Sequence, residues 1–150
     1  MVPLPDGTFM IMNGAQQGVA GFGLATDPNL DALLYDPSQP VGSRMSILNT
    51  TIVDRLYHSE AILLHDGRVL VSGSDPEDPR FPQEYRVEVY IPPYLNQGFT
   101  QPEFNITKTD LAYGETTTLT VKLFQGTTST MRVSLIGGNA HASIALLIQL

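Results

Sequence analysis

A chain of 150 residues, 42% of them hydrophobic and with a net charge of −7, has room for one ordinary domain or two small ones. Its eight Lys and Arg are scattered, which excludes an electrostatic footprint for nucleic acid or an anionic membrane. Cysteine is absent, so disulfides, thiolate metal sites and a cysteine nucleophile are excluded as well.

The N-terminus, Met1-Val2-Pro3-Leu4-Pro5-Asp6, has neither a basic n-region nor an apolar h-region and is not expected to act as a signal peptide. No apolar run approaches the roughly 20 residues that span a bilayer. Thirteen Gly and eleven Pro are spread along the chain, β-branched residues are frequent, and no 3.6-residue apolar period is sustained. The fold class predicted is all-β.

The first element, Leu4-Pro5-Asp6-Gly7-Thr8-Phe9-Met10-Ile11-Met12-Asn13-Gly14, has a near copy in Leu64-His65-Asp66-Gly67-Arg68-Val69-Leu70-Val71-Ser72-Gly73. In both, Asp-Gly supplies the positive-φ residue of a tight turn, an apolar strand follows, and a glycine closes the unit. A second pair, Leu33-Leu34-Tyr35-Asp36-Pro37 and Val87-Glu88-Val89-Tyr90-Ile91-Pro92, shares a strand-Tyr-x-Pro shape. The Asp-Gly turns lie 60 residues apart and the tyrosines 55 apart. A period of about 50 residues holding several short strands marks a kelch-type propeller blade. Residues 1–92 are therefore expected to be the last blades of such a propeller, which closes only as a ring of roughly four to eight blades.

After Pro92-Pro93 the texture changes. Thr118-Leu119-Thr120-Val121-Lys122-Leu123 alternates with Leu119, Val121 and Leu123 on one face, and Met131-Arg132-Val133-Ser134-Leu135 alternates with Met131, Val133 and Leu135 expected inward. Gly114-Glu115 and Gln125-Gly126-Thr127 supply turns. Residues 93–150 are expected to form a truncated immunoglobulin-like sandwich, with three or four strands against the roughly seven of a full one. The tail 137–150 is atypical.

Tyr57 and His58, just ahead of the second hairpin, are either packing residues of a repeated sheet or two ligands of one metal ion. As ligands they require a bend, because neighbouring side chains on a regular strand point to opposite faces. Asp6 and Asp66 suit hairpin turns and receive no chemistry; His65 is a solvated loop residue. Asp75-Pro76-Glu77-Asp78-Pro79 lacks the spacing of a calcium loop and is expected to be a solvated connection. Tyr35, Tyr85, Tyr90, Tyr94 and Tyr113 are expected as strand or core aromatics. The sequons Asn49-Thr50-Thr51 and Asn105-Ile106-Thr107 lean towards a secreted origin.

Four segments carry a resemblance: Asp54-Arg55-Leu56-Tyr57-His58-Ser59-Glu60-Ala61-Ile62-Leu63-Leu64; Asp66-Gly67-Arg68-Val69-Leu70-Val71-Ser72-Gly73-Ser74-Asp75-Pro76; Glu88-Val89-Tyr90-Ile91-Pro92-Pro93-Tyr94-Leu95; and Thr128-Ser129-Thr130-Met131-Arg132-Val133-Ser134-Leu135-Ile136. Together they resemble the fungal glyoxal oxidases, copper radical oxidases related to galactose oxidase. The resemblance implies a seven-bladed propeller followed by an immunoglobulin-like domain that returns a histidine to the propeller axis. It implies a copper site of two tyrosines and two histidines, one tyrosine being joined to a cysteine as a radical store. Tyr57 would be the axial tyrosine and proton acceptor, and His58 an equatorial ligand. The candidate for the last ligand is His141, in Asn139-Ala140-His141-Ala142-Ser143, where Ala140 replaces the family's Thr and the histidine follows Ile136 sooner than in the family.

The implied activity is oxidation of simple aldehydes to carboxylic acids with reduction of O2 to H2O2, in a secreted protein whose partners are the aldehyde and O2. Without a cysteine the Tyr–Cys radical cofactor is absent, and a C-terminal fragment inactive alone is expected. The alternative is a non-catalytic kelch-like binding or structural module.

Overall fold

A computed structural model describes residues 1–136 and the backbone of residues 145–149. All regular structure in it is β apart from one 3-10 turn, Pro93–Leu95. No helix among the described residues is long and apolar enough to cross a membrane. The chain divides into two compact units, Met1–Pro92 and Pro93–Leu150.

In the first unit, β1 (Val2–Pro3), β2 (Phe9–Ile11), β5 (Asp31–Tyr35) and β6 (Met45–Thr50) form a four-stranded antiparallel meander in that order. A separate two-stranded ribbon, β3 (Ala15–Gly18) and β4 (Ala25–Pro28), is inserted between β2 and β5. A second meander holds β7 (Glu60–Leu63), β8 (Val69–Ser72) and β9 (Glu88–Tyr90).

The internal repeat is present at the level of single hydrogen bonds. Leu4 N–H donates to Thr8 O (2.9 Å) and Gly7 N–H to Leu4 O (3.1 Å); Leu64 N–H donates to Arg68 O (2.8 Å) and Gly67 N–H to Leu64 O (3.0 Å). Each is a three-residue loop with glycine in the left-handed region, φ 87° at Gly7 and 85° at Gly67. Asp6 and Asp66 each accept the backbone N–H two residues on, from Thr8 (3.0 Å) and Arg68 (3.1 Å). The next strand is repeated in register too: Tyr35 pairs with Phe9 and Tyr90 with Val69, each three residues beyond the turn aspartate.

The hydrophobic core lies in this unit. Val2, Leu4, Met10, Ala32, Val53, Leu56, Val69 and Val71 are, besides prolines, the buried apolar side chains among the described residues. They come from β1, β2, β5 and β8, with Leu4 beside the first turn and Val53 and Leu56 from the link between the two meanders.

The connection Asp75–Pro79 is not the solvated segment its composition suggests. Pro76 is fully buried, and Asp78 is buried against Arg80, whose backbone N–H and guanidinium both donate to it. Those donors hold the Asp78 carboxyl below its ordinary range. Further along, Glu84 N–H donates to Ser74 O (2.9 Å), and the Arg86 guanidinium and backbone N–H depress the Glu84 carboxyl from 4.5 to about 2. A carboxyl depressed in the folded state stabilises the fold above its unfolded pKa, and that stabilisation is lost as pH falls through the folded value. Thermal stability is therefore expected to drop between the ordinary value of 4.5 and about 2, and Glu84→Gln should flatten that drop. A pH series of melting temperatures on both proteins checks this; identical acid limbs would rule it out.

In the second unit, β10 (Glu103–Ile106) pairs antiparallel with β11 (Leu119–Lys122), and β12 (Arg132–Ile136) with β13 (Ala145–Gln149). Leu119, Val121 and Leu123 are half-buried on one face, and Thr120 and Lys122 are exposed, as the alternation predicts. β12 departs from expectation. Val133 and Leu135 are exposed, while Ser134 and Ile136 are half-buried. A two-residue period fixes which side chains share a face but not which face is covered. Tyr85 and Tyr113 are exposed loop residues rather than strand or core aromatics; Tyr35 and Tyr90 lie on strands and Tyr94 in the 3-10 turn.

Candidate functional site

The link between β6 and β7 carries Val53-Asp54-Arg55-Leu56-Tyr57-His58-Ser59. Val53, Arg55 and Leu56 are buried, Tyr57 is half-buried and His58 is exposed. The chain turns here, with Ser59 N–H donating to Leu56 O (3.3 Å) and His58 at φ 63°. The left-handed region costs a side-chain-bearing residue about 1–2 kcal/mol. The bend brings both rings to one side, where Tyr57 and His58 stack with centroids 4.2 Å apart and planes 28° apart. A regular strand would have separated them.

Phe22, in the turn of the β3–β4 ribbon, meets both rings edge-on. Its centroid is 5.1 Å from each, at 79° to Tyr57 and 84° to His58. Edge-to-face contact of this kind adds about 0.5–1.5 kcal/mol per pair beyond the area it buries. A pocket of about 350 Å³ opens beside the cluster, between the glycine backbone of Gly14, Gly18 and Gly21 with Ala25 and the wall made by Leu56, Tyr57 and His58. That volume suits a small ligand.

The site segment is held from both repeats. Gly14, closing the first, donates its N–H to Arg55 O (2.8 Å). From the second, Asp75 N–H donates to Tyr57 O (2.8 Å), and the Ser74 hydroxyl accepts Leu56 N–H (2.8 Å). Gly73 is in the left-handed region (φ 72°), and a Cβ there would lie 2.8 Å from His58 O. Only glycine fits at that approach. The ribbon is tied to the same loop, Gly23 N–H donating to Pro76 O (2.6 Å).

Arg55 is the deepest member. Its guanidinium is fully buried and spends its donors on Gly73 O (2.8 Å), Arg86 O (2.9 Å) and the Glu88 carboxylate (3.0 Å from Nε, 2.9 Å from Nη2). Glu88 also accepts the Thr51 hydroxyl (2.6 Å). Sequence reasoning gave Arg55, Glu88 and Phe22 no role. For Glu88 the local signal points the wrong way: alternation in Val87-Glu88-Val89 places the valines inward, whereas they are exposed and Glu88 is half-buried. For Phe22 there was none, since its glycine-rich surroundings resemble a loop.

Of the predicted site residues, Tyr57 and His58 are brought together at the pocket, and His141 lies outside the described residues. His65 is exposed in its hairpin turn. No group of three or more His, Cys, Asp or Glu that could hold a metal occurs among the described residues.

Residues 1–94, which hold this whole cluster, match the family described as Glyoxal oxidase N-terminus. The chain belongs to the glyoxal oxidase family. It is 61% identical over 137 residues to a WSC domain-containing protein of Arthroderma benhamiae, covering 91% of this chain and 15% of that one. It is 49% identical over 100 residues to aldehyde oxidase GLOX of Vitis pseudoreticulata, covering 63% and 19% respectively. It is 38% identical over 133 residues to aldehyde oxidase GLOX1 of Arabidopsis thaliana, covering 83% and 22%. This glyoxal oxidase-family chain thus spans less than a quarter of the length of these relatives.

Proposed function

We propose that Tyr57 and His58 supply two of the ligands of a copper centre that oxidises simple aldehydes to carboxylic acids while O2 is reduced to H2O2. The observation that carries this reading is the ring pair on a bent backbone at the mouth of a pocket, in a chain of the glyoxal oxidase family. A phenolic oxygen and an imidazole nitrogen fit two positions of the tetragonal N,O set that Cu(II) prefers. When bound, copper supplies the redox chemistry and lowers the pKa of the phenol beside it.

Tyr57, as phenolate, accepts a proton from a hydroxyl of the hydrated aldehyde. His58 would hold the metal and, through the stack, fixes the plane of the Tyr57 ring. Phe22, edge-on to both rings, packs against the pair. Removing two electrons and two protons from the hydrate leaves the acid, and O2 takes up both pairs to give H2O2. His141 is proposed as a further ligand. The meanders β1-β2-β5-β6 and β7-β8-β9 are proposed as propeller blades of the kelch type, and residues 93–150 as part of an immunoglobulin-like domain. Exposed Asn49 and Asn105, both in sequons, support a secreted protein.

These 150 residues contain no cysteine, so they cannot make the Tyr–Cys radical store themselves. Purified alone, loaded with copper and given glyoxal and O2, they are expected to produce no peroxide. Cu(II) should still bind, and Tyr57→Phe and His58→Ala should each weaken it by about tenfold or more, read by titration and by electron paramagnetic resonance. Copper binding unchanged in the double variant would defeat the proposal and favour a non-catalytic module.

A further inference from the structure

We infer that Arg55 is a positioning residue for the Tyr57–His58 pair, with Glu88 as its anchor; its role in a reaction rests on the copper reading above. Arg55 stands two residues before Tyr57, and its guanidinium is fully buried. It reaches Gly73 O at the end of β8 and Glu88 and Arg86 O at β9. Gly73 also lies close against the His58 backbone, since a Cβ there would meet His58 O at 2.8 Å. One planar fork thus fixes both the strand end that supports the pair from below and the segment that carries it.

The geometry needs a fork. Lysine's donors all sit on one nitrogen, whereas Arg55 meets Glu88, Gly73 O and Arg86 O from Nε, Nη1 and Nη2. The first repeat has no such anchor: Leu33, paired with Ile11, stands where Glu88, paired with Val71, stands in the second. The couple belongs to the segment that carries Tyr57 and His58. Groups that orient ligands without touching the metal commonly alter affinity by roughly 10- to 100-fold when changed.

The test uses the whole 150-residue chain as Arg55→Lys and Glu88→Gln, first without metal. Stacked on Tyr57 and met edge-on by Phe22, the His58 ring protons are expected to be displaced upfield in the NMR spectrum of the parent. Both variants should lose most of that displacement while the amide signals of β1, β2 and β5 stay dispersed. Cu(II) titration should then show a roughly tenfold weaker complex with altered copper hyperfine splitting. Should Arg55→Lys fail to fold, Glu88→Gln, which keeps side-chain shape, decides alone. Unchanged His58 shifts and unchanged copper affinity in Glu88→Gln would overturn the inference. If the parent chain binds no copper, the copper reading fails, and the metal-free shifts still decide whether Arg55 orders the pair.

Discussion

Arg55→Ala is expected to cost the first unit about 3 kcal/mol, the lower end of the range for breaking a buried ion pair. The loss has three parts. The carbonyls of Gly73 and Arg86 lose their guanidinium donors, the space of a fully buried side chain is emptied, and Glu88 loses its cation. The last part is moderated because the Glu88 side chain keeps 30% of its exposure and the Thr51 hydroxyl as a donor. Arg68 provides the control. It too pairs with a carboxylate, that of Asp66, but the two side chains are 46% and 50% exposed, and exposed pairs contribute about 1 kcal/mol or less. Urea unfolding of Arg55→Ala and Arg68→Ala side by side measures the difference. Equal, small losses would mean that the guanidinium is not the clamp its burial indicates.

Local rules of turn and strand made the repeat legible before any coordinates. An Asp-Gly turn needs only four or five residues to specify itself, and both copies close with the same hydrogen bonds. Tyr35 and Tyr90 were legible as matching positions of the two copies because each stands at the end of an apolar strand two residues before a proline; which strand each would pair with was not. The bend at Tyr57-His58 was legible as a condition: two adjacent side chains sharing one ligand cannot sit on a regular strand, and His58 at φ 63° meets that condition. The non-local contacts were not legible. Arg55 and Glu88 are far apart in sequence, and a lone arginine ordinarily signals solvent. Pro76 and Asp78 are buried, Asp78 against Arg80, although their composition resembles a solvated turn. In β12 the period was right and the face was not, since nothing in Met131-Arg132-Val133-Ser134-Leu135 says what will lie over it.

The same distinction between units sets the final expectation. Met10→Ala should destabilise the first unit by about 2–4 kcal/mol, whereas Leu135→Ser should shift stability by less than about 0.5 kcal/mol. Met10 is fully buried on β2, the inner strand between β1 and β5, opposite Val2 on one side and Leu34 on the other. Truncating it removes apolar contacts and leaves a cavity that its two hydrogen-bonded neighbour strands prevent from closing. Leu135 is 69% exposed, and Val133 beside it on the same face is 44% exposed, so a serine there removes little buried surface. Separate melting transitions for the two variants, followed by circular dichroism, provide the measurement. A loss at Leu135 as large as that at Met10 would place a second core on the β12 face, against the exposure observed there.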